Sequence, residues 1–288
     1  MKRRSQSITC KEAQTAQANA AANTGSAAAE SAASVMMTVA PVIFLAAILA
    51  VWQGVSAAGW MPGYMLPSPA AVVRALAEDF PLLLEHSKTT LLEAFFGLAS
   101  SIGLAFVTAF FMDRYLFLQK AVYPLLIVSQ TIPTVAIAPL LVLWLGYGIA
   151  PKVTLVIITC YFPLTISLLT GFSSADRDAI HLMQAMGASR WQIFYHIKLK
   201  SSLKQFFSGL RVAVSYAVVG AVISEWLGGM SGLGVYMTRV KKSYAFDKMF
   251  AVIFLISAIS LLLMKAVAIV EKRTMPWEFL EQSAEKNK

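Results

Sequence analysis

Six stretches of this 288-residue chain are apolar for long enough to cross a hydrocarbon layer, and this excludes most folds at once. A spanning helix needs about 20 predominantly apolar residues. The stretches fall near 36–58, 88–112, 118–148, 152–173, 205–227 and 249–270. Composition agrees, with 58% of residues hydrophobic and 14% charged. The expected architecture is an all-α membrane protein, a polytopic bundle of about six transmembrane helices sharing one interior. One domain over 35–273 is expected. Residues 1–34, rich in Ala, Ser, Thr and Gln, read as a disordered tail, and 274–288 as a second tail. The tail is not a cleavable signal, because no apolar core follows Lys2, Arg3 and Arg4 at the usual distance. The net charge of +9 is explained by basic loops retained on the cytoplasmic side, without nucleic acid. Cys10 and Cys160 form neither a metal pair nor an evident disulfide.

One polar segment between spans is not linker-like: residues 176–200, DRDAIHLMQAMGASRWQIFYHIKLK. Asp176 is placed to N-cap a short helix. Ala179, Leu182, Met183 and Met186 then fall at i, i+3, i+4 and i+7, one apolar stripe. Gly187 follows, the usual residue for a left-handed helix stop. Ser189 and Gln192 have capping-box spacing, so a second helix starts at once. Trp191, Phe194, Ile197 and Leu199 make that helix apolar on one side, and Arg190, His196, Lys198 and Lys200 make it polar on the other. The result is a helix, a glycine elbow and a helix, a knob shaped for a soluble partner. The plainer alternative is an amphipathic loop lying on the membrane.

The knob resembles the cytoplasmic coupling loop, or EAA loop, of ABC-importer membrane subunits. In that motif Glu-Ala-Ala is followed by three residues, Gly, nine residues, Ile, any residue and Leu-Pro. Gly187, Ile197 and Leu199 match. His181-Leu182-Met183 stands where Glu-Ala-Ala is usual, and Lys200 where Pro is usual. The run Gly187-Ala188-Ser189-Arg190-Trp191 is typical of the nitrate, sulfonate, taurine and thiamine-precursor branch. The resemblance extends over about 36–273. It includes the Leu66-Pro67-Ser68-Pro69 turn, the run from Gln130 to Gly148, and Glu225-Trp226-Leu227-Gly228 with the Gly232-Leu233-Gly234 turn. That last stretch is most similar to permeases for hydroxymethylpyrimidine-type thiamine precursors. The resemblance implies a type I ABC-importer fold.

Other features mark a pathway. Near 118–148 the apolar run is too long for one straight crossing and is broken by Gln130, Pro133 and Pro139. One crossing in two pieces with the break buried in the bundle is expected; two short crossings are the alternative. A broken helix with a polar residue is where a transporter meets its solute. Gln130 and Pro133 are therefore pathway candidates, beside the simpler reading of a proline kink. Tyr161, inside the fourth span, and Glu225, near the end of the fifth, complete the set. Glu93 reads either as an interfacial acid or as a functional one. Trp52 and Trp60 suit an interface belt. Gly232, Leu233 and Gly234 suit a tight re-entry at a gate.

The chain has no G-x-x-x-x-G-K-S/T motif and no metal spacing among His86, His181 and His196, so enzyme activity is not expected. ATP and Mg would be bound by a partner. The resemblance implies a cytoplasmic ABC ATPase dimer at the knob, a second permease copy and an extracytoplasmic substrate-binding protein. It places the chain in a bacterial inner membrane with both termini inside. Arg239, Lys241, Lys242 and Lys248 in an outer loop run against the charge rule. The solute is expected to be a pyrimidine thiamine precursor, with sulfonate, taurine or nitrate as alternatives. A gradient-driven secondary carrier is the more remote class, for which few central charges and no clear repeat are found.

Overall fold

The computed structural model describes residues 39–59, 62 and 65–276. The expected tail 1–34, most of the tail 274–288 and Trp60 lie outside the described residues. Among the described residues all regular structure is helical: α1 Val39–Ala57, α2 Pro69–Glu78, α3 Phe80–Arg114, α4 Leu116–Thr131, α5 Thr134–Leu145, α6 Ile149–Ser173, α7 Arg177–Ala185, α8 Arg190–Ile193, α9 Leu199–Gly228, α10 Leu233–Lys242 and α11 Phe246–Thr274. Five helical stretches are long and apolar enough to cross a membrane, and six if the bent pair α4–α5 is one span.

The chain divides into two compact units between Pro69 and Ala70. In the first, α1 is followed by a segment tied back to it. Trp52 Nε1 donates to the Pro67 carbonyl at 3.1 Å, and Ser56 Oγ to the Leu66 carbonyl at 3.2 Å.

The second unit is built around α3, α6 and α9. Its core sets Ala94, Ala105 and Ala109 of α3 and Ala213, Ala217 and Ala221 of α9 against Val156, Cys160, Leu164, Leu168 and Phe172 of α6. Small residues on the flanking helices let their backbones approach a central helix of large ones, the usual means of tightening helix pairs where lipid gives no hydrophobic drive. Glycines occur where approach is closest. A Cβ on Gly171 would lie 2.7 Å from Ser202 Cα, and one on Gly97 would overlap Val156.

Several boundaries differ from the apolar runs. Helix α3 begins at Phe80 rather than near 88, because Pro81 suits a first turn and Leu83, His86, Ser87 and Thr90 all find buried positions. The second knob helix is not separate from the fifth span. A π turn, Phe194–Lys198, joins α8 to α9, so one helical path runs from Arg190 to Gly228. The polar loop before the last span contains a helix, α10, seated through Leu233, Tyr236 and Val240 on Leu83 and Val252.

The long apolar run is indeed two pieces, bent by 99°. Pro133 disfavours a helical conformation for the residue before it, and Ile132 is extended with φ −82° and ψ 121°. The break was expected to be buried in the bundle. On the single chain Gln130 through Pro133 are exposed instead. The cause is sparse packing: α4 buries only Leu126, and α5 only Ala138 and Leu141.

Replacing Gly171 by Ala forces a side chain against the α9 backbone, an overpacking cost of about 1–3 kcal/mol. The melting temperature in detergent is expected to fall by about 2–4 °C per kcal/mol. Gly103→Ala meets nothing within 4 Å and is expected to leave it unchanged or slightly raised.

Candidate coupling knob, solute cavity and gate turn

The knob is fixed by local chemistry at each end. Asp176 Oδ1 accepts from the Asp178 N–H at 2.9 Å, capping α7. Gly187 takes φ +80°, a conformation that favours glycine, and turns the chain out of α7. Ser189 Oγ accepts from the Gln192 N–H at 3.3 Å while Gln192 Oε1 accepts from the Ser189 N–H at 2.7 Å, a complete capping box.

Beneath the elbow lies an aromatic cluster. Phe194 meets Phe110 edge-on at 4.8 Å and Phe172 at 5.1 Å, and Trp191 stacks on it at 5.8 Å. Lys198 Nζ donates to both oxygens of Asp113 at 2.7 and 2.8 Å, tying the π turn to the end of α3. Ile197 and Leu199 are half-buried on this side. Helix α7 buries no residue. Leu182 is 62% exposed and Met186 68%, while Ala179 and Met183 are half-buried. Met183, Met186, Gly187 and Ala188 line a groove of about 510 Å³ closed by Gln192 and His196, and Arg190 lines a second one beside Asp113. The knob is a braced base under an apolar stripe of which the chain itself leaves Leu182 and Met186 exposed.

The four pathway candidates are not brought together. Gln130 lines a cavity of about 220 Å³ with Ser129, Ile132, Thr134, Thr159 and Tyr216, directly beside the Pro133 break. Tyr161 does not line it. Its hydroxyl donates to Thr108 Oγ1 at 2.8 Å, joining α6 to α3. Glu225 is 1% exposed, and its carboxylate accepts from the Thr90 hydroxyl at 2.7 Å and from the Gly234 N–H at 2.6 Å. That places it on the Gly232-Leu233-Gly234 turn.

Glu93 is 2% exposed and accepts from Lys152 Nζ at 2.5 Å. It also contacts the Glu225 carboxyl, and no donor reaches its Oε2. The sequence signal for Lys152 is slight: a lone Lys early in an apolar span, with a lone Glu in another. Thr90 carried none. Nearer the end of α10, Lys248 and then the Tyr236 hydroxyl hold the Asp79 carboxyl below the usual carboxylate range. Among the described residues no group of three or more His, Cys, Asp or Glu is placed to hold a metal.

An apolar helix bundle with a bent span and a rigid exposed elbow between two spans is a membrane transport permease of the type I ABC-importer fold. Solved structures with that fold include an amino acid ABC transporter, at TM-score 0.58 and 13% identity, covering 69% of this chain and 97% of the other. The inward-facing MetNI methionine ABC transporter gives TM-score 0.54 at 16% identity, covering 72% and 97%. Residues 101–276 match the family of binding-protein-dependent transport system inner membrane components, and the chain belongs to it. It is 37% identical over 238 residues to the formylaminopyrimidine transport permease protein ThiX of Halalkalibacterium halodurans, covering 82% of this chain and 95% of the relative. It is 30% identical over 241 residues to the riboflavin transport system permease protein RibX of Chloroflexus aurantiacus, covering 82% and 89%. The taurine transport system permease protein TauC of Escherichia coli follows at 25% over 240 residues, covering 81% and 87%.

Lys152→Met leaves the Glu93 charge buried without its partner, a loss of about 3–5 kcal/mol. It is expected to lower the detergent melting temperature and membrane yield sharply. The double variant Lys152→Met with Glu93→Gln removes both charges and is expected to recover most of the loss.

Proposed function

We propose that this importer permease is driven by ATP hydrolysis in a partner subunit and carries a pyrimidine precursor of thiamine. The observation that carries the first part is the knob: an apolar stripe with Leu182 and Met186 exposed and Ala179 and Met183 half-buried, on a capped and aromatically braced elbow. Two helices held this firmly cost little entropy to dock, which suits a surface that passes on a partner's movement. The partner is a cytoplasmic ABC ATPase dimer, which binds the ATP and Mg. The knob and both termini then face the cytoplasm of a bacterial inner membrane, and a binding protein delivers solute from the opposite side.

A second copy of the chain completes the pathway. Backbone left unpaired at a helix break is untenable in lipid, so the exposed Gln130–Pro133 break calls for a polar cavity or a second subunit to cover it. The cavity beside that break bears on the solute class. Ser129, Gln130, Thr134, Thr159 and Tyr216 offer uncharged hydrogen-bonding groups and one aromatic ring, with no Lys or Arg in the lining. Such a lining suits a small neutral heterocycle and gives a sulfonate or nitrate no countercharge. The 37% identity to a formylaminopyrimidine permease points the same way.

The test is co-purification of the tagged permease with its ATPase from detergent. Wild-type protein is expected to bring the ATPase with it. Leu182→Glu and Met183→Glu are expected to lose it at least tenfold, with membrane insertion unchanged. Wild-type recovery of the ATPase by both variants would remove the knob from the interface. Loss of insertion along with recovery would show the stripe to be structural.

A further inference from the structure

The helical path Arg190–Gly228 carries the knob at one end and Glu225 near the other. At about 1.5 Å per residue the two are separated by about 50 Å. What Glu225 does at that distance is defined by its partners. Glu225 Oε2 accepts from the Gly234 N–H at 2.6 Å, and Oε1 accepts from the Thr90 hydroxyl at 2.7 Å. Thr90 Oγ1 in turn accepts from the Leu233 N–H at 2.9 Å, and His86 Nδ1 accepts from the Gly232 N–H at 3.0 Å.

Three successive amides are therefore held by side chains of two other helices, α3 and α9. Those at Leu233 and Gly234 open α10, where a helix has no partners of its own to offer. A carboxylate there also complements the positive end of the helix. The turn wraps the carboxyl so closely that a Cβ on Gly232 would overlap Glu225, and one on Gly234 would overlap the Val222 carbonyl. Glu225 and Thr90 are each 1% exposed, so water does not compete for these bonds. The body of α10 is held independently: Tyr236 donates to Asp79, which also pairs with Lys248 at 2.8 Å. The turn depends on the relative placement of α3 and α9.

We infer that His86, Thr90 and Glu225 are positioning residues that latch the Gly232–Gly234 turn, and that movement of the knob-bearing helix against α3 releases it. The inference rests on the coupling role proposed for the knob. A hydrogen bond of 2.7 Å is lost by about 3.6 Å, so a relative shift of about 1 Å between the two helices breaks the Thr90–Glu225 link. Once that link fails, the Thr90 hydroxyl turns to the His86 carbonyl, 3.3 Å away, and the Leu233 and Gly234 amides lose their common anchor. A latch assembled from two helices makes the turn sensitive to a small slide of one long rod against the other.

Backbone amide exchange over residues 228–236 reads the latch directly. The permease is assembled with its ATPase in nanodiscs and compared at rest and trapped with ATP and vanadate. In the wild-type complex the Leu233 and Gly234 amides are expected to be protected at rest and to exchange at least tenfold faster when trapped. Thr90→Val keeps the shape and removes the hydroxyl; it is expected to give the fast exchange already at rest, with the ATPase still bound. Thr90→Ser is expected to restore protection, which a general folding defect would not allow. Unchanged protection on trapping, or wild-type exchange in Thr90→Val, would overturn the latch. If no ATPase co-purifies with the wild-type chain, the coupling role falls and the release step falls with it. Resting exchange in Thr90→Val then still decides the static latch.

Discussion

A polar group buried in an apolar bundle must be satisfied from within, and at the Gly232–Gly234 end of this protein that constraint converges on one carboxylate. Glu225 takes a hydroxyl from α3 and an amide from α10, and it contacts Glu93, which pairs with Lys152 on α6. Four elements are thereby fixed relative to one another by groups that have no alternative partner in lipid. The close passage of α3, α6 and α9 follows from the small residues of the core, but small residues alone permit sliding. The buried polar cluster sets where along their length the helices stop.

The knob obeys a different physics. It lies outside the apolar bundle, so its shape is secured by caps, a positive-φ glycine and edge-to-face rings rather than by burial of its own stripe. Because the π turn passes directly into α9, no flexible joint separates the elbow from the core. Lys198 on Asp113 ties the near end of that path to α3.

Much of this was legible in the residues because its causes are local. Asp176, Gly187, Ser189 and Gln192 act within a few residues of themselves, and all four do in the structure what their spacing predicts. The spans were legible because length and apolarity are properties of a run. What was not legible depends on partners far away in the chain. Glu225 stood out as an acid, yet Thr90 lies 135 residues from it and carries no signal of its own. Helix α10 read as a basic loop, since Arg239, Lys241 and Lys242 dominate its composition; it exists because Leu233, Tyr236 and Val240 find a seat on Leu83 and Val252. The continuity of α8 with α9 was hidden by the polar segment that the π turn accommodates.

The central claim is that this permease moves its solute on energy supplied by ATP at the knob. The most direct measurement is uptake of labelled formylaminopyrimidine by proteoliposomes holding the permease and its ATPase. ATP is supplied on the knob side and loaded binding protein on the other. Uptake that requires ATP, is abolished by vanadate and is indifferent to ion gradients is the predicted result. Uptake driven by a proton or sodium gradient in liposomes holding the permease alone would contradict it and make the protein a secondary carrier.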